Sequence, residues 1–129
     1  VFNGCRYTDP TTGKETFSNF YPASTAAADI EAFVIDDPMV IFEIQAAIAM
    51  PVADLLGNFD IVYTTAGSTV TGISGAELQV TDGGTGTTLP LKAIDISRDP
   101  ENSDVGSAHT NVHVVICNHI FGVKGAGLA

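Results

Sequence analysis

The chain has 129 residues, 45% of them hydrophobic, which is enough to bury a real core and excludes intrinsic disorder. Fifteen acidic residues outnumber five basic ones, for a formal net charge of -10, so nucleic-acid phosphates and anionic membrane surfaces repel this chain. The apolar stretches are too short for a membrane-spanning helix. We expect one domain over residues 1–129, without direct contact to nucleic acid or membrane.

The first predicted element is a β-hairpin. Residues 2–7 and 15–20 are its strands, and Asp9-Pro10 with the later Gly13 supplies the turn between them. The chain starts at Val1, without an initiator Met and directly at a strand. We therefore expect further residues before Val1, removed by maturation or absent from this sequence.

Residues 30–45, IEAFVIDDPMVIFEIQ, hold two apolar β-rich runs on either side of Asp36-Asp37-Pro38. Proline has no amide hydrogen and disfavours the α region for the residue before it, which predicts a turn or offset between two strands. The first run is nearly apolar on both faces, and the second alternates. We expect both strands to form the core, with the acidic turn exposed.

The rest of the chain continues the β pattern. A short helix is predicted over residues 51–56, then a long loop or weak strand pair rich in Thr, Ser and Gly over 58–75, and a strand over 76–81. A Gly-rich turn at 82–86 precedes a strand at 89–97, a polar loop at 98–110, the clearest strand at 111–121 and an extended or mobile tail at 122–129. Six or seven strands predict an all-β fold, a small antiparallel β-barrel or β-sandwich with at most one or two short helical turns.

Residues that could bind a metal are present but badly spaced. His113, Cys117 and His119 share one strand face, yet His113 and Cys117 are about 13 Å apart at about 3.3 Å per residue, too far for one zinc ion. The loop carrying Asp99 and Glu101 has oxygen ligands of the type that calcium uses, but it lacks the glycine and terminal glutamate of an EF-hand. We predict no metal site and no cofactor.

Nucleophilic catalysis is also poorly supported. Ser107 lies near His109, but no Gly-x-Ser-x-Gly elbow surrounds a serine. Cys5 and Cys117 are too few for a disulfide framework, and two buried free thiols are favoured over one long-range bridge. We predict no catalytic residue, and therefore no enzyme.

Several short motifs occur in a characteristic order. Residues 33–45 contain Asp-Asp-Pro and then apolar-Phe-Glu-apolar-Gln, residues 67–75 read GSTVTGISG, residues 98–102 read RDPEN, and a late strand ends near Asn118-His119. This order and spacing, over most of residues 17–121, resembles a family of virion structural proteins from tailed bacteriophages, especially marine and cyanobacterial ones. Residues 46–58 depart from the Asp/Ser-rich version of that pattern.

The resemblance implies a non-enzymatic role as a capsid decoration or cement protein on the exterior of the phage capsid. The implied partners are the major capsid protein and neighbouring copies of the chain, with a trimer as one arrangement. We expect the contacts at the acidic turn and the Thr/Gly loop, and at strand edges in residues 40–45 or 112–121. The predicted contact residues are Asp36, Asp37, Gly67, Ser68, Thr69, Val70, Thr71 and Gly72.

Three other functions stay open at this point. A tail or neck component would use a small β domain in the same way. A module that binds carbohydrate or the host surface would use loops rich in Thr, Gly and Asn, although the chain has no Trp for stacking on sugars. A small hydrolase would need His109 or His113 beside an acid and a nucleophile.

Overall fold

The computed structural model describes residues 1–122 and Gly127, except for the side chain of Asp82. In this part of the chain there are eight strands and one turn of 3-10 helix at Val52–Asp54. The strands are β1 (Phe2–Thr8), β2 (Glu15–Ser18), β3 (Glu31–Val34), β4 (Phe42–Gln45), β5 (Asn58–Val62), β6 (Glu77–Gly84), β7 (Leu91–Ile96) and β8 (Asn111–Ile116). All pairs of these strands are antiparallel. The predicted all-β class is confirmed, as is the near absence of helix.

The chain divides into two compact units. The first comprises Val1–Asp37 and Gly67–Ser74, and the second comprises Pro38–Ala66 and Gly75–Ala129. One domain over residues 1–129 stays a prediction. The predicted tail at 122–129 lies, apart from Gly122 and Gly127, outside the described residues.

The first unit contains a three-stranded sheet in the order β2-β1-β3. The predicted hairpin is confirmed, because β1 pairs with β2 across the turn that starts at Asp9. The Asp9 carboxylate accepts a hydrogen bond from the Thr11 amide at 2.7 Å, and this bond lowers the pKa of Asp9. Gly13 adopts a φ of 67° and donates its amide to the Asp9 carbonyl at 2.8 Å, which closes the turn.

Strand β3 lies at the edge of this sheet and is not part of the core. All of its residues are exposed, including Phe33 at 43% and Val34 at 63%. The prediction that residues 30–35 and 40–45 form the core together is therefore wrong: β3 belongs to the first unit, and β4 belongs to the sheet of the second. The Asp36-Asp37-Pro38 break separates two sheets, not two neighbouring strands.

Hydrogen bonds to the Asp29 carboxylate link the end of β1 to the segment that precedes β3. Its carboxylate accepts hydrogen bonds from the Thr8 hydroxyl at 2.6 Å and the Thr8 amide at 3.1 Å, and these bonds hold the pKa of Asp29 below its ordinary value of 3.8. A carboxylate whose pKa is lower in the folded state than in the unfolded state stabilises the folded protein at pH values above the unfolded-state pKa. That contribution is lost as pH falls through the folded-state value.

We expect Asp29→Asn to lower Tm near neutral pH, with a difference from wild type that shrinks to nothing in strong acid. Thermal unfolding of both proteins in steps from about pH 7 to about pH 2 measures this. A Tm difference that stays constant over the whole range would contradict the role of the Asp29 charge.

The second unit contains a five-stranded sheet in the order β4-β8-β7-β5-β6. Its outer strands approach at one place, where Ala46 forms a parallel bridge with Leu78 and the Ala47 amide donates to the Leu78 carbonyl at 3.0 Å. In the described residues no ladder joins β4 to β6, so the sheet curls without closing as a barrel. The buried core comprises Ala46, Met50, Phe59, Leu78, Val80, Leu91, Ala93, Val112 and Val114.

Four elements differ from the sequence predictions. Of the two alternatives predicted over residues 58–75, a long loop or a weak strand pair, the loop is excluded over Asn58–Val62, which is β5, a strand with neighbours on both sides. The turn predicted at 82–86 starts too early, because β6 extends to Gly84. Strand β8 ends at Ile116, so Ile120 and Phe121, both 84% exposed, do not continue its faces. The predicted helix at 51–56 is shorter, a single 3-10 turn after Pro51.

Candidate functional site

One face of the sheet in the first unit carries exposed aromatic rings. Phe17 on β2 lies opposite Arg6 on β1, and Arg6 also lies opposite Glu31 on β3. Since side chains alternate along a strand, Phe33 shares the face of Glu31. Phe17 is 66% exposed and Phe33 is 43% exposed. We call this surface, formed by Arg6, Phe17, Glu31 and Phe33, the aromatic face.

A groove of about 300 Å³ lies beside the two rings of the aromatic face. Gly4 lies where a bulge shifts the register between β1 and β3, and its φ of 109° is one that side chains rarely adopt. A Cβ at this position would lie 2.9 Å from the Ser18 carbonyl oxygen. The lining residues are Asn3, Gly4, Cys5, Phe17, Ser18, Asn19 and Phe33. Because Gly4 contributes only backbone and Phe17 and Phe33 are exposed, this groove can bind an apolar side chain of a partner.

The positive charge on the aromatic face is neutralised by two carboxylates. The Arg6 guanidinium lies 2.6 Å from Glu31 and 3.0 Å from Glu15, and the Glu31 charge is the main cause of the raised pKa of Arg6. Exposed ion pairs of this kind contribute little to stability. Because both carboxylates pair with Arg6, this residue adds no unpaired positive charge to the aromatic face.

The first unit as a whole is acidic. It contains two basic residues, Arg6 and Lys14, and six acidic ones, Asp9, Glu15, Asp29, Glu31, Asp36 and Asp37. Three of the acidic residues, Glu31, Asp36 and Asp37, lie in β3 or within three residues of its end. A partner with basic groups is therefore favoured electrostatically over an acidic one.

The predicted acidic turn follows β3 directly. Asp36 and Asp37 are both exposed, as predicted. The preceding residue, Ile35, exchanges two backbone hydrogen bonds with Val1, at 2.7 and 2.8 Å, so the end of β3 is held against the start of β1. The acidic pair is thus presented from a fixed strand end.

The predicted Thr/Gly contact loop folds back on itself. The Ser68 amide donates to the Ile73 carbonyl at 2.9 Å, and the Gly72 amide donates to the Ser68 carbonyl at 2.8 Å. Asn19 anchors the loop by donating its side-chain amide to the Thr71 carbonyl at 2.9 Å. Gly72 has a φ of 71°, a conformation that favours glycine, and a Cβ there would lie 2.1 Å from the Asn19 amide nitrogen, so a side chain at this position would displace the Asn19 anchor.

The loop and the acidic turn belong to the same compact unit. Val70 lies at the loop tip and is 92% exposed. A second groove, of about 460 Å³, is lined by Phe2, Asn19, Phe20, Tyr21, Gly67, Ser68, Thr69, Gly72, Ile73 and Ser74. Phe2 also pairs with Val34, two residues before Asp36. The two predicted contact segments are therefore connected through Phe2.

Sequence reasoning missed Phe17, Phe33 and Gly4. A signal was present in β1, where Arg6 stands between buried Cys5 and Tyr7 and so marks the solvent face of the hairpin. The register set by the hairpin turn places Phe17 opposite Arg6 on that face. By contrast, the predicted contact edge at 112–121 is wrong for β8, which has a strand on each side. Strand β4 does lie at the edge of its sheet.

The second unit brings an acid, a serine and a histidine together. Glu43 accepts hydrogen bonds from the Ser97 hydroxyl at 2.8 Å and the Asn111 side-chain amide at 3.1 Å, and lies 3.4 Å from His113 Nε2. In a catalytic triad the serine hydroxyl is hydrogen-bonded to the imidazole, which removes its proton. Here the hydroxyl donates to the carboxylate. The group therefore joins β4, β8 and the end of β7 in the manner of a structural polar cluster.

The candidate metal ligands are engaged in separate contacts. The Cys117 thiol donates to the Leu89 carbonyl at 3.0 Å, and its burial raises its pKa. His119 Nδ1 accepts a hydrogen bond from the Phe121 amide. Among the residues that the structure describes, no three His, Cys, Asp or Glu side chains lie close enough to hold a metal ion. Cys5 and Cys117 are both buried free thiols, as predicted.

In the described ranges no helix has the length and apolar character needed to cross a membrane. No family model, curated protein or solved structure matches the chain. The resemblance to phage virion proteins thus stays a prediction from the order of the motifs.

Proposed function

We propose that this chain is a structural virion protein, a decoration protein that binds the outside of the major capsid lattice and stabilises a phage head. The supporting observation is the aromatic face, with its adjacent groove and acidic surroundings. Aromatic side chains, Phe included, are enriched in the cores of protein–protein interfaces relative to the rest of the surface. The order of the sequence motifs supplies the virion context.

The physical demands on such a protein agree with a small surface of this kind. A decoration protein is repeated across a shell, so each copy needs only a modest contact area when neighbouring contacts add avidity. Binding between adjacent capsid subunits stabilises the shell because the bound state is favoured over the expanded or broken one. The acidic first unit directs the chain towards basic patches on the shell.

The proposed function is tested by locating the chain in particles of the phage that encodes it. A cryo-electron microscopy map and quantitative mass spectrometry should place it on the outer shell surface, in a fixed ratio to the major capsid protein. Removing the gene should leave particles that lose their DNA at lower temperature or lower external osmolarity than wild type.

Other locations would overturn the proposal. A few copies confined to the tail or neck would identify a connector component. Absence from the particle, with retention on host-cell glycans in an array, would identify a carbohydrate-binding module instead.

A further inference from the structure

The open edge of β3 has the features of a site for strand addition. Ile35 exchanges backbone hydrogen bonds with Val1, and in an antiparallel pair such residues alternate with residues whose peptide groups point away from the partner strand. Ala32 and Val34 therefore direct their amide and carbonyl groups to the outer edge. Since the sheet order is β2-β1-β3, no other strand among the described residues pairs along that edge.

The side chains of β3 are exposed on both faces of the sheet. Phe33 projects from the aromatic face, while Ala32 and Val34 project from the opposite face, and all three are exposed. A strand added alongside would bury these side chains and pair the open peptide groups at the same time. Phe33 also lines the groove above Gly4, so one long apolar side chain of the added strand can reach that groove.

The charges around β3 indicate the chemistry of the added strand. Asp29 and Glu31 lie at one end, and Asp36 and Asp37 lie at the other. Two copies of β3 would repel each other in the antiparallel two-fold registers centred on Phe33 and on Val34, because Asp37 of one copy then lies opposite Asp29 or Glu31 of the other. Like charges directly opposite each other destabilise strand pairing. Self-association through β3 is disfavoured, whereas a strand with basic ends is attracted.

We infer that β3 accepts, as a fourth strand, an extended segment of its partner that has an apolar centre flanked by Lys or Arg on both sides. The inference rests on the proposed function only in taking that segment to belong to the capsid shell. Affinity comes from main-chain hydrogen bonds to Ala32 and Val34, and selectivity comes from the acidic residues at each end of β3.

The test uses the whole chain and a synthetic peptide that has alternating Val and Thr between two Lys-Arg pairs. Hydrogen exchange should show new protection of the Ala32 and Val34 amides when the peptide binds wild type. Fluorescence anisotropy should show at least about tenfold weaker binding to Val34→Pro, which lacks the outward amide, and less than about threefold weaker binding to Val34→Ala, which keeps it. A peptide with Glu-Asp ends in place of Lys-Arg should not bind.

The inference is overturned if the basic peptide leaves the Ala32 and Val34 amides unprotected, a result that needs no variant to fold. It is also overturned if the proline and alanine variants, each checked for a wild-type circular dichroism spectrum, bind equally. The two proposals fail separately. If Val34→Pro and Val34→Ala attach equally to particles, strand addition is excluded and the decoration role is kept. If the peptide binds at β3 but the chain is absent from particles, strand addition is kept and the decoration role is excluded.

Discussion

Truncating Phe59 to alanine is expected to lower the free energy of unfolding by about 3–5 kcal/mol, the usual cost of emptying a large buried aromatic site. Phe59 is 1% exposed and belongs to the core of the second unit. A folded protein of this size is stable by only about 5–15 kcal/mol, so this loss is a large share of the total. Urea denaturation followed by circular dichroism measures it. A change below about 1 kcal/mol would contradict the placement of the ring in the core.

The neighbours of Phe59 provide a sharper form of this prediction. A Cβ added at Gly83 would lie 2.0 Å from Phe59 Cε1, whereas one added at Gly84 would meet nothing within 4 Å. Gly83→Ala should therefore cost about 1–3 kcal/mol by overpacking, and Gly84→Ala should cost clearly less. Because Phe59→Ala removes the clashing ring, the cost of Gly83→Ala should largely disappear in the double variant. Strictly additive costs would show that the ring and Gly83 do not touch.

Local signals were sufficient for the first hairpin. The turn from Asp9 to Gly13 fixes the register between β1 and β2, and every bond that closes it involves residues near in sequence. The buried alternation of Val112 and Val114 in β8 was also visible, because a strand with one covered face keeps a period of two. Where pattern and turn chemistry act over a few residues, the sequence predicted the element.

Long-range pairing explains the errors. The run that contains β3 is as apolar as a core strand, but burial depends on what covers it, and the sheet order leaves β3 at an edge. Strand β5 shows the opposite case. Its neighbouring Thr and Gly residues indicate a loop or at most a weak strand pair, yet β6 and β7 pair with it on both sides, and it supplies Phe59 to the core. The periodicity of the sequence shows neither that β3 lies at a sheet edge nor that β5 is paired on both sides.

The candidate site was predicted only in part, for a related reason. The sequence predicts exposure of Asp36, Asp37 and the loop around Val70, because turn residues are normally exposed. The sequence pattern indicates only ordinary strand residues at Phe17 and Phe33, since a large apolar side chain is buried more often than not. Their exposure depends on the pairing of three strands from different parts of the chain.

The exposure of Phe17 leads to the prediction with the largest expected effect on binding. Phe17→Ala should weaken attachment to capsid particles that lack the chain by about thirtyfold, the effect of losing about 2 kcal/mol at an interface anchor. Its effect on the free energy of unfolding should stay below about 1 kcal/mol, because the ring is 66% exposed and its direct cross-strand neighbour is Arg6. Co-sedimentation with particles and urea denaturation separate the two quantities.

Phe121→Ala is the matched control for Phe17→Ala. It removes the same ring from a position that is 84% exposed but belongs to the second unit and is not part of the aromatic face. If exposed rings promoted attachment only through general hydrophobicity, both variants would weaken it to a similar degree, and the aromatic face would lose its assignment as the contact surface. A loss of attachment confined to Phe17→Ala requires a specific anchor, because Phe121→Ala removes the same ring from a position that is even more exposed, 84% against 66%.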